Sequence, residues 1–258
     1  MQICGFQKTT LLDYPEHIAA TVFLGGCNFR CPFCYNSSLV LHPDSCKQYT
    51  KDTILSFLAK RKGILQGVCV TGGEPTLSDE LPSFLFTIKE LGYLIKLDTN
   101  GSNPEMLQSL YEQKLIDYVA MDVKSGISDY LSVCGLSATQ TALIDNIKKS
   151  IHFLIHETDA SRFQYEFRTT VVKPLHTAAS FSEIAGLIHG AKRYFLQSYQ
   201  KTDATLALTA AFPSRDASLL CAGFPDAATF DAYSIQELEA FAAIVRPYVS
   251  CVSLRGVE

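Results

Sequence analysis

Three cysteines crowd one short stretch, Cys27-Asn28-Phe29-Arg30-Cys31-Pro32-Phe33-Cys34, directly after an apolar run. Thiolates are the usual protein ligands of iron-sulfur clusters, and three on one loop can hold three irons of a four-iron cube while leaving the fourth open. An open iron can take a substrate or cofactor. Structural zinc is the competing reading, but it normally needs four protein ligands, often as paired Cys-x-x-Cys hooks, and the sequence has no second hook. The other six cysteines, Cys4, Cys46, Cys69, Cys134, Cys221 and Cys251, are scattered singly, so spacing picks no fourth ligand.

Three more stretches carry polar groups in patterns suited to a ligand. In Thr71-Gly72-Gly73-Glu74-Pro75 the glycines let backbone approach a bound molecule, and Glu74 adds a carboxylate suited to an ammonium group. The same residues read equally well as a tight turn into a helix. Asp98-Thr99-Asn100-Gly101 offers carboxylate, hydroxyl and amide groups able to hold a ribose, a cation or an ammonium, although Asn-Gly is also a strong turn signal. Asp122 and Lys124 lie two apart at a strand end and so point one way. They make an ordinary salt bridge, or Lys124 grips a ligand carboxylate with Arg168 in reach. Among the histidines only His152 and His156 have a regular spacing, i and i+4, which decorates a helix face because no motif supplies further metal ligands.

These stretches are positioned by an alternation of strands and helices. The runs from Ile18 to Leu24, Gly67 to Val70, Tyr93 to Leu97, Ile116 to Met121, Tyr165 to Val172 and Arg193 to Ser198 read as strands. Helices are expected between them: one capped by Thr50 and closed by Gly63, one from Asp79 to Leu91, one opened by Asn103-Pro104, one through Ile144 to Leu154, and one opened by Ser180 and Glu183 as a capping box. Ser234 and Glu237 repeat the box, and Val249 to Leu254 suits one last strand. Residues 200–233 break the pattern as a lid or an irregular extension. Such alternation implies right-handed crossovers and a parallel sheet. Alternation alone fits a flat doubly wound sheet as well, but length favours the curved form, so the expected fold is α/β, a partial (β/α)6 TIM-like barrel over residues 1–199 with a helical and irregular C-terminal extension over residues 200–258 on the same domain. Loops following the strands of such a barrel share one rim. The cysteine loop, Gly-Gly-Glu-Pro, Asp-Thr-Asn-Gly and Asp-Val-Lys all follow strands, so all four should face one cavity.

Composition narrows the partners. A chain of 258 residues with 47% hydrophobic and 19% charged content suits one large globular α/β domain. No apolar run reaches the roughly 18 residues of a membrane span. The N-terminus lacks signal-peptide features and the nine cysteines lack disulfide spacing, so a reducing cytoplasmic location is expected. A net charge of −4 argues against nucleic-acid binding through phosphates. The one basic cluster, Lys60-Arg61-Lys62, is expected to end a helix, where cations favour the dipole.

Taken together, the Cys-x-x-x-Cys-x-x-Cys loop with aromatic Phe33 and the Thr-Gly-Gly-Glu-Pro stretch resemble the radical S-adenosylmethionine superfamily. Gly5-Phe6-Gln7, Thr10-Leu11-Leu12-Asp13-Tyr14-Pro15, Asp98-Thr99-Asn100-Gly101 and Met121-Asp122-Val123-Lys124 add a resemblance to glycyl-radical-enzyme activases, above all those serving anaerobic ribonucleotide reductase. The resemblance runs from about residue 5 to residue 199. It implies that Cys27, Cys31 and Cys34 ligate a [4Fe-4S] cluster whose open iron binds S-adenosyl-L-methionine. It further implies that Phe33 and Tyr35 flank the adenine, that Gly72, Gly73 and Glu74 receive the amino group, and that Asp122, Val123 and Lys124 approach the methionyl carboxylate, with Asp98, Thr99, Asn100 and Arg168 completing the site. Asp98 and Asp122 hold a monovalent cation in the similar pyruvate formate-lyase activase, and the resemblance extends that cation to this chain.

The implied activity is reductive cleavage of S-adenosylmethionine to a 5′-deoxyadenosyl radical, which takes hydrogen from a glycine of a partner glycyl-radical enzyme. Flavodoxin or ferredoxin is the implied electron donor. The chain departs from the resemblance at Tyr35, and at Gln197-Ser198-Tyr199 near the end of strand six, where many relatives carry histidine. Two alternatives stay open at this point: a radical enzyme acting on a small molecule or peptide, and a zinc-stabilised binding module without catalysis.

Overall fold

A computed structural model describes residues 1–202, 205–206 and 229–257. Among these residues eight strands form one sheet whose spatial order follows the chain. β2 (Ala19–Leu24), β3 (Gly67–Gly72), β4 (Leu94–Thr99), β5 (Tyr118–Asp122), β6 (Gln164–Val171), β7 (Arg193–Ser198) and β8 (Cys251–Arg255) run parallel. β1 (Ile3–Thr10) pairs antiparallel with β2. The two outermost strands do not pair with one another, so the sheet is a partial TIM-like barrel of the expected class.

The six expected strands are present in the expected order. The last strand expected from Val249 to Leu254 is β8, which adds a seventh parallel member, while β1, not expected, covers the opposite edge. β1 escapes a search for apolar runs because only its first residues and Thr10 are buried, its middle being half-exposed or exposed. A bridge from Ile3 to Tyr49 covers part of its outer edge. The C-terminal extension therefore contributes an element to the barrel itself. Most of residues 200–233, read as a lid or irregular stretch, lie outside the described residues.

Helices α1 (Ser37–Leu41) and α2 (Lys51–Ala59) join β2 to β3, α3 (Leu81–Glu90) joins β3 to β4, and α4 (Pro104–Glu112) joins β4 to β5. α5 (Tyr130–Val133) and α6 (Ala142–His156) precede β6, α7 (Ala178–Leu187) precedes β7, and α8 (Ile235–Val245) precedes β8. No helix among the described residues is long and apolar enough to cross a membrane. Thr50 caps α2 by accepting from Thr53 N at 3.1 Å, and Asn103 caps α4 by accepting from Met106 N at 3.1 Å. Ser234 and Glu237 form the expected capping box on α8.

Two local expectations are corrected. α7 opens earlier than Ser180 suggests: Thr177 is the cap and Ser180 its reciprocal partner. Glu183 turns away instead and accepts from the backbone N and hydroxyl of Ser128 at 2.8 and 2.6 Å. Similarly, α2 stops at Ala59, so Lys60-Arg61-Lys62 follow the helix, and Arg61 lies over the Phe57 ring at 5.4 Å.

Strand residues alternate between the two faces of the sheet. Val68, Val70, Ile95, Leu97, Val119 and Met121 are fully buried in one core with Leu85 and Ile88 of α3 and Leu107 and Leu110 of α4. Each such side chain contributes about 1.5–3 kcal/mol by leaving water. The alternate residues Thr71, Asp98, Asp122, Arg168, Thr170 and Gln197 line a cavity at the C-terminal ends of the strands.

Candidate active site

That cavity, about 250 Å³, is walled on one side by Cys27, Cys31 and Cys34. Every residue expected at the site lines it except Glu74 and Val123. The four motif loops do share one rim, as alternation required.

Burial raises the Cys27 thiol to about 12 and the Cys34 thiol to about 11, because a thiolate there loses its water. Cys31 goes the other way: the thiol of Cys134, at the end of α5, donates to its sulfur and favours the thiolate, with Lys124 adding to the effect. Cys134 itself is fully buried and its pKa is pushed up. The backbone clamps the same two loops together, Arg30 N donating to Cys134 O at 2.9 Å.

Gly72 and Gly73 are required by packing against the start of the cysteine loop. A Cβ on Gly73 would stand 1.9 Å from Gly26 O, and one on Gly72 would stand 2.3 Å from Leu24 O at a φ of +120°. Gly73 N donates to Leu24 O and Glu74 N to Gly26 O, both at 2.8 Å. The glycine pair therefore does the work of the tight turn while presenting backbone to the cavity.

Glu74 does something other than face an ammonium group. It is buried behind the cavity wall, where one carboxylate oxygen accepts from Thr76 N, Thr76 Oγ1 and Thr99 Oγ1 at 3.1, 2.6 and 2.7 Å. The other oxygen accepts from Asn100 N at 2.6 Å. Desolvation raises its pKa while these donors pull it down, with desolvation the larger effect. Its role is to tie the loop after β3 to the loop after β4. Val123 likewise sits in the core, where its N donates to Arg168 O at 2.8 Å and its O accepts from Thr169 Oγ1 at 2.6 Å.

The charged residues form one network. Arg168 donates to Asp122 Oδ1 at 2.9 Å and to Asp98 Oδ2 at 3.3 Å, Lys124 donates to Asp122 Oδ2 at 2.9 Å, and Lys96 pairs with Asp98 Oδ1. Desolvation works against the Asp122 carboxylate, but Arg168 and Lys124 outweigh it and hold its pKa at about 2. Asp122 in turn outweighs the desolvation of Lys124 and raises the lysine. All four carboxylate oxygens of Asp98 and Asp122 are thus taken by protein cations, where a monovalent cation was expected. Three cations face two acids, so the network carries an excess positive charge suited to a ligand carboxylate. Lys96 was not foreseen, although its position two residues before Asp98 carries the same signal as Asp122 and Lys124.

The aromatic residues of the loop divide. Phe33 is buried, edge-on to His176 with centroids 6.2 Å apart. Tyr35 is partly exposed and stacks on Tyr199, and its hydroxyl accepts from Gln200 N at 2.6 Å. Leu206 N donates to Cys34 O at 2.8 Å, so the chain after β7 returns to the last cysteine.

The radical SAM superfamily profile matches residues 21–156 of this chain. The chain belongs to the radical SAM superfamily. A Methanocaldococcus jannaschii protein provisionally named a glycyl-radical enzyme activating enzyme is 31% identical over 206 residues, 78% of this chain and 81% of that protein. A 7-carboxy-7-deazaguanine synthase from Neisseria meningitidis is 33% identical over 108 residues, 42% of this chain and 44% of that protein. Among solved structures, Streptococcus suis SuiB bound to its precursor peptide SuiA superposes with a TM-score of 0.58 at 14% identity, covering 90% of this chain and 47% of that one. A structure of TYW1 with a lysine-pyruvate adduct gives 0.54 at 13% identity, covering 90% and 74%. These superpositions carry the fold alone.

Radical SAM membership implies a [4Fe-4S] cluster and S-adenosylmethionine, and it favours iron over zinc for the cysteine triplet. The donor set fits: three soft sulfur ligands share one wall of a cavity whose opposite side offers a cation-rich network. Among the described residues no group of three or more His, Cys, Asp or Glu side chains is gathered as a ready metal cage. In this radical SAM chain the triplet is a shared wall on which metal binding must displace the thiol protons. Sequence reasoning missed Asn36, whose amide donates to Gly72 O at 3.0 Å, and the lining residues Thr170 and Gln197. Thr170 lies two residues after Arg168 on β6, so strand period alone would have found it.

Proposed function

We propose that this radical SAM chain is a glycyl-radical-enzyme activating enzyme whose protein substrate is an anaerobic ribonucleotide reductase. The observation that carries the activating-enzyme reading is the 31% identity to the M. jannaschii protein, because it extends over 78% of the chain; the choice of reductase rests on the sequence resemblance alone. The cluster and S-adenosylmethionine, when bound, supply one-electron cleavage of a sulfonium bond and hydrogen-atom abstraction from carbon. The protein binds, orients and excludes water. Cys27, Cys31 and Cys34 hold the metal, Gly72 and Gly73 present backbone, and Lys124 with Arg168 attracts the carboxylate. Phe33, Tyr35, Thr99, Asn100 and Asp122 complete the cofactor pocket, and flavodoxin or ferredoxin delivers the electron.

Anaerobic reconstitution is expected to give about four irons per chain, reductant-dependent 5′-deoxyadenosine, and a glycyl radical detectable by EPR on the reductase. Cys27→Ala, Cys31→Ala and Cys34→Ala should each abolish all three. Absence of iron and of 5′-deoxyadenosine from the reconstituted wild type would sink the reading.

The similarity to 7-carboxy-7-deazaguanine synthase over 42% of the chain supports a second reading, a radical SAM enzyme acting on a small molecule or peptide. Turnover that proceeds without any glycyl-radical partner would decide for it.

A further inference from the structure

Asn100 reaches the cavity wall just beyond the tip of β4, buried, with both ends of its amide assigned by neighbours. Oδ1 accepts from Ser102 N at 2.9 Å. Nδ2 donates to Asn28 Oδ1 at 2.9 Å and lies 3.9 Å from Cys27 Sγ. Asn28 closes the ring by donating its own Nδ2 to Ser102 Oγ at 2.9 Å. The Ser102 backbone N–H only donates, so the Asn100 oxygen must face it and the amide cannot be reversed. Its NH₂ group has two hydrogens; Asn28 takes one, and Cys27 sulfur is the acceptor within reach of the other.

The same sulfur accepts from Phe29 N at 3.4 Å. Cys27 thus collects one backbone and one side-chain N–H, while Cys31 faces the Cys134 thiol and Cys34 the backbone N–H of Asn36. The position of Asn100 is fixed independently, since its backbone N donates to the buried Glu74 carboxylate. Hydrogen bonds to a cluster's cysteinyl sulfurs favour the reduced, more negative state, and they are among the means by which proteins set cluster potentials. An amide does this without adding a charge to a cavity that already has an excess of cations.

We propose that Asn100 is a positioning residue that raises the reduction potential of the cluster held by Cys27, Cys31 and Cys34, by donating its Nδ2–H to the Cys27 sulfur. This rests on the cluster reading of the site. It makes the loop after β4 part of the redox machinery and gives Glu74 a second consequence, because the carboxylate anchors the residue that tunes the cluster.

The test is an anaerobic redox titration of the reconstituted holoenzyme, followed by EPR of the reduced cluster, on the wild type, Asn100→Leu and Ser102→Ala. Iron is counted first, and a wild type without a cluster overturns the site reading and this inference with it. With clusters present, Asn100→Leu should titrate at a more negative potential than the wild type. Ser102→Ala cuts the ring but keeps the backbone N–H that orients Asn100, so it should titrate with the wild type. Wild-type potential in Asn100→Leu, or an equal shift in both variants, overturns the assignment. Should Asn100→Leu hold no cluster, pulsed EPR of Asn28→Asp/Asn36→Gln enzyme carrying side-chain ¹⁵N-asparagine decides, since Asn36 also lines the cavity: a ¹⁵N coupling to the reduced cluster supports the bond, and its absence refutes it.

Discussion

Tyr35 and Tyr199 lie ring over ring, 5.8 Å between centroids and 15° from parallel, joining the end of the cysteine loop to the end of β7. Tyr35 and the Gln197-Ser198-Tyr199 stretch are where the resemblance leads to an expectation of histidine, and here the two stretches touch. Tyr199 O–H bonds Thr205 Oγ1 at 3.2 Å and Tyr35 accepts from Gln200 N at 2.6 Å, so the pair pins the last cysteine against the chain that follows β7.

A stacked pair of this kind should be energetically coupled. Tyr35→Ala, Tyr199→Ala and the double variant are expected to give a coupling of about 0.5–1.5 kcal/mol in a double-mutant cycle. Urea unfolding of the four proteins measures it, and strictly additive losses would show that the rings act separately. Tyr35→Phe keeps the stack and leaves the exposed Gln200 N to water, at a cost of about 0.5 kcal/mol.

Glu74 anchors two loops through four donors, and that makes its charge structural. Glu74→Gln replaces one accepting oxygen with an NH₂ group facing donors, so at least one hydrogen bond becomes a clash and the rest lose charge assistance. The expected loss is about 3 kcal/mol, read as a lower denaturation midpoint. Unchanged stability would mean that the carboxylate is not required by the fold.

The alternation of strands and helices was legible because buried parallel strands read as apolar runs, and the rim followed from strand direction alone. Thr50, Asn103 and Ser234 were found as caps because one hydroxyl or amide decides each helix start. Thr177 was missed because Ser180 and Glu183 match the same pattern three residues later, and only the tertiary contact of Glu183 with Ser128 separates them. The candidate site was legible as a set of loops, but the direction of each side chain was not. Glu74 looked like a ligand group and is turned inward, since four donors from distant residues surround it only in the fold. Lys96 looked like an ordinary strand residue and instead completes the ionic network.

His176 provides a pH dependence outside the site chemistry. It is fully buried, with Nε2 donating to Lys124 O at 2.8 Å and Nδ1 accepting from Val172 N at 3.0 Å. Desolvation outweighs these bonds and lowers its pKa. A histidine depressed in the fold lets the unfolded chain bind the extra proton first, so its contribution is present above the unfolded value of about 6.5 and is lost as pH falls below it. The wild type should therefore lose up to about 1.4 kcal/mol per pH unit from this group below pH ~6.5. His176→Gln, though less stable near neutrality, should show a flatter stability profile between about pH 6.5 and 5. Parallel profiles for the two proteins would refute the assignment.

Arg168 is the one residue that reaches both acids of the network, so its removal separates charge from geometry. In Arg168→Met, Asp98 keeps Lys96 and Asp122 keeps Lys124, and each carboxylate turns the oxygen it loses from Arg168 toward the cavity, where water replaces only part of the charged bond. Losing two such charge-assisted bonds costs about 1.5–3 kcal/mol. Arg168→Lys restores the charge but not the fork that spans Asp98 Oδ2 and Asp122 Oδ1, so it should recover only part of the loss. The carboxyl of Asp122, held at about 2, owes the largest share of that depression to Arg168. Its stabilising effect is present above the usual carboxylate value and fades as pH falls toward 2. Arg168→Met should accordingly begin acid unfolding at a higher pH than the wild type, with Arg168→Lys between them. If Lys matches Arg in both stability and acid midpoint, net charge alone holds the acids in place; if Lys matches Met, the fork is what matters.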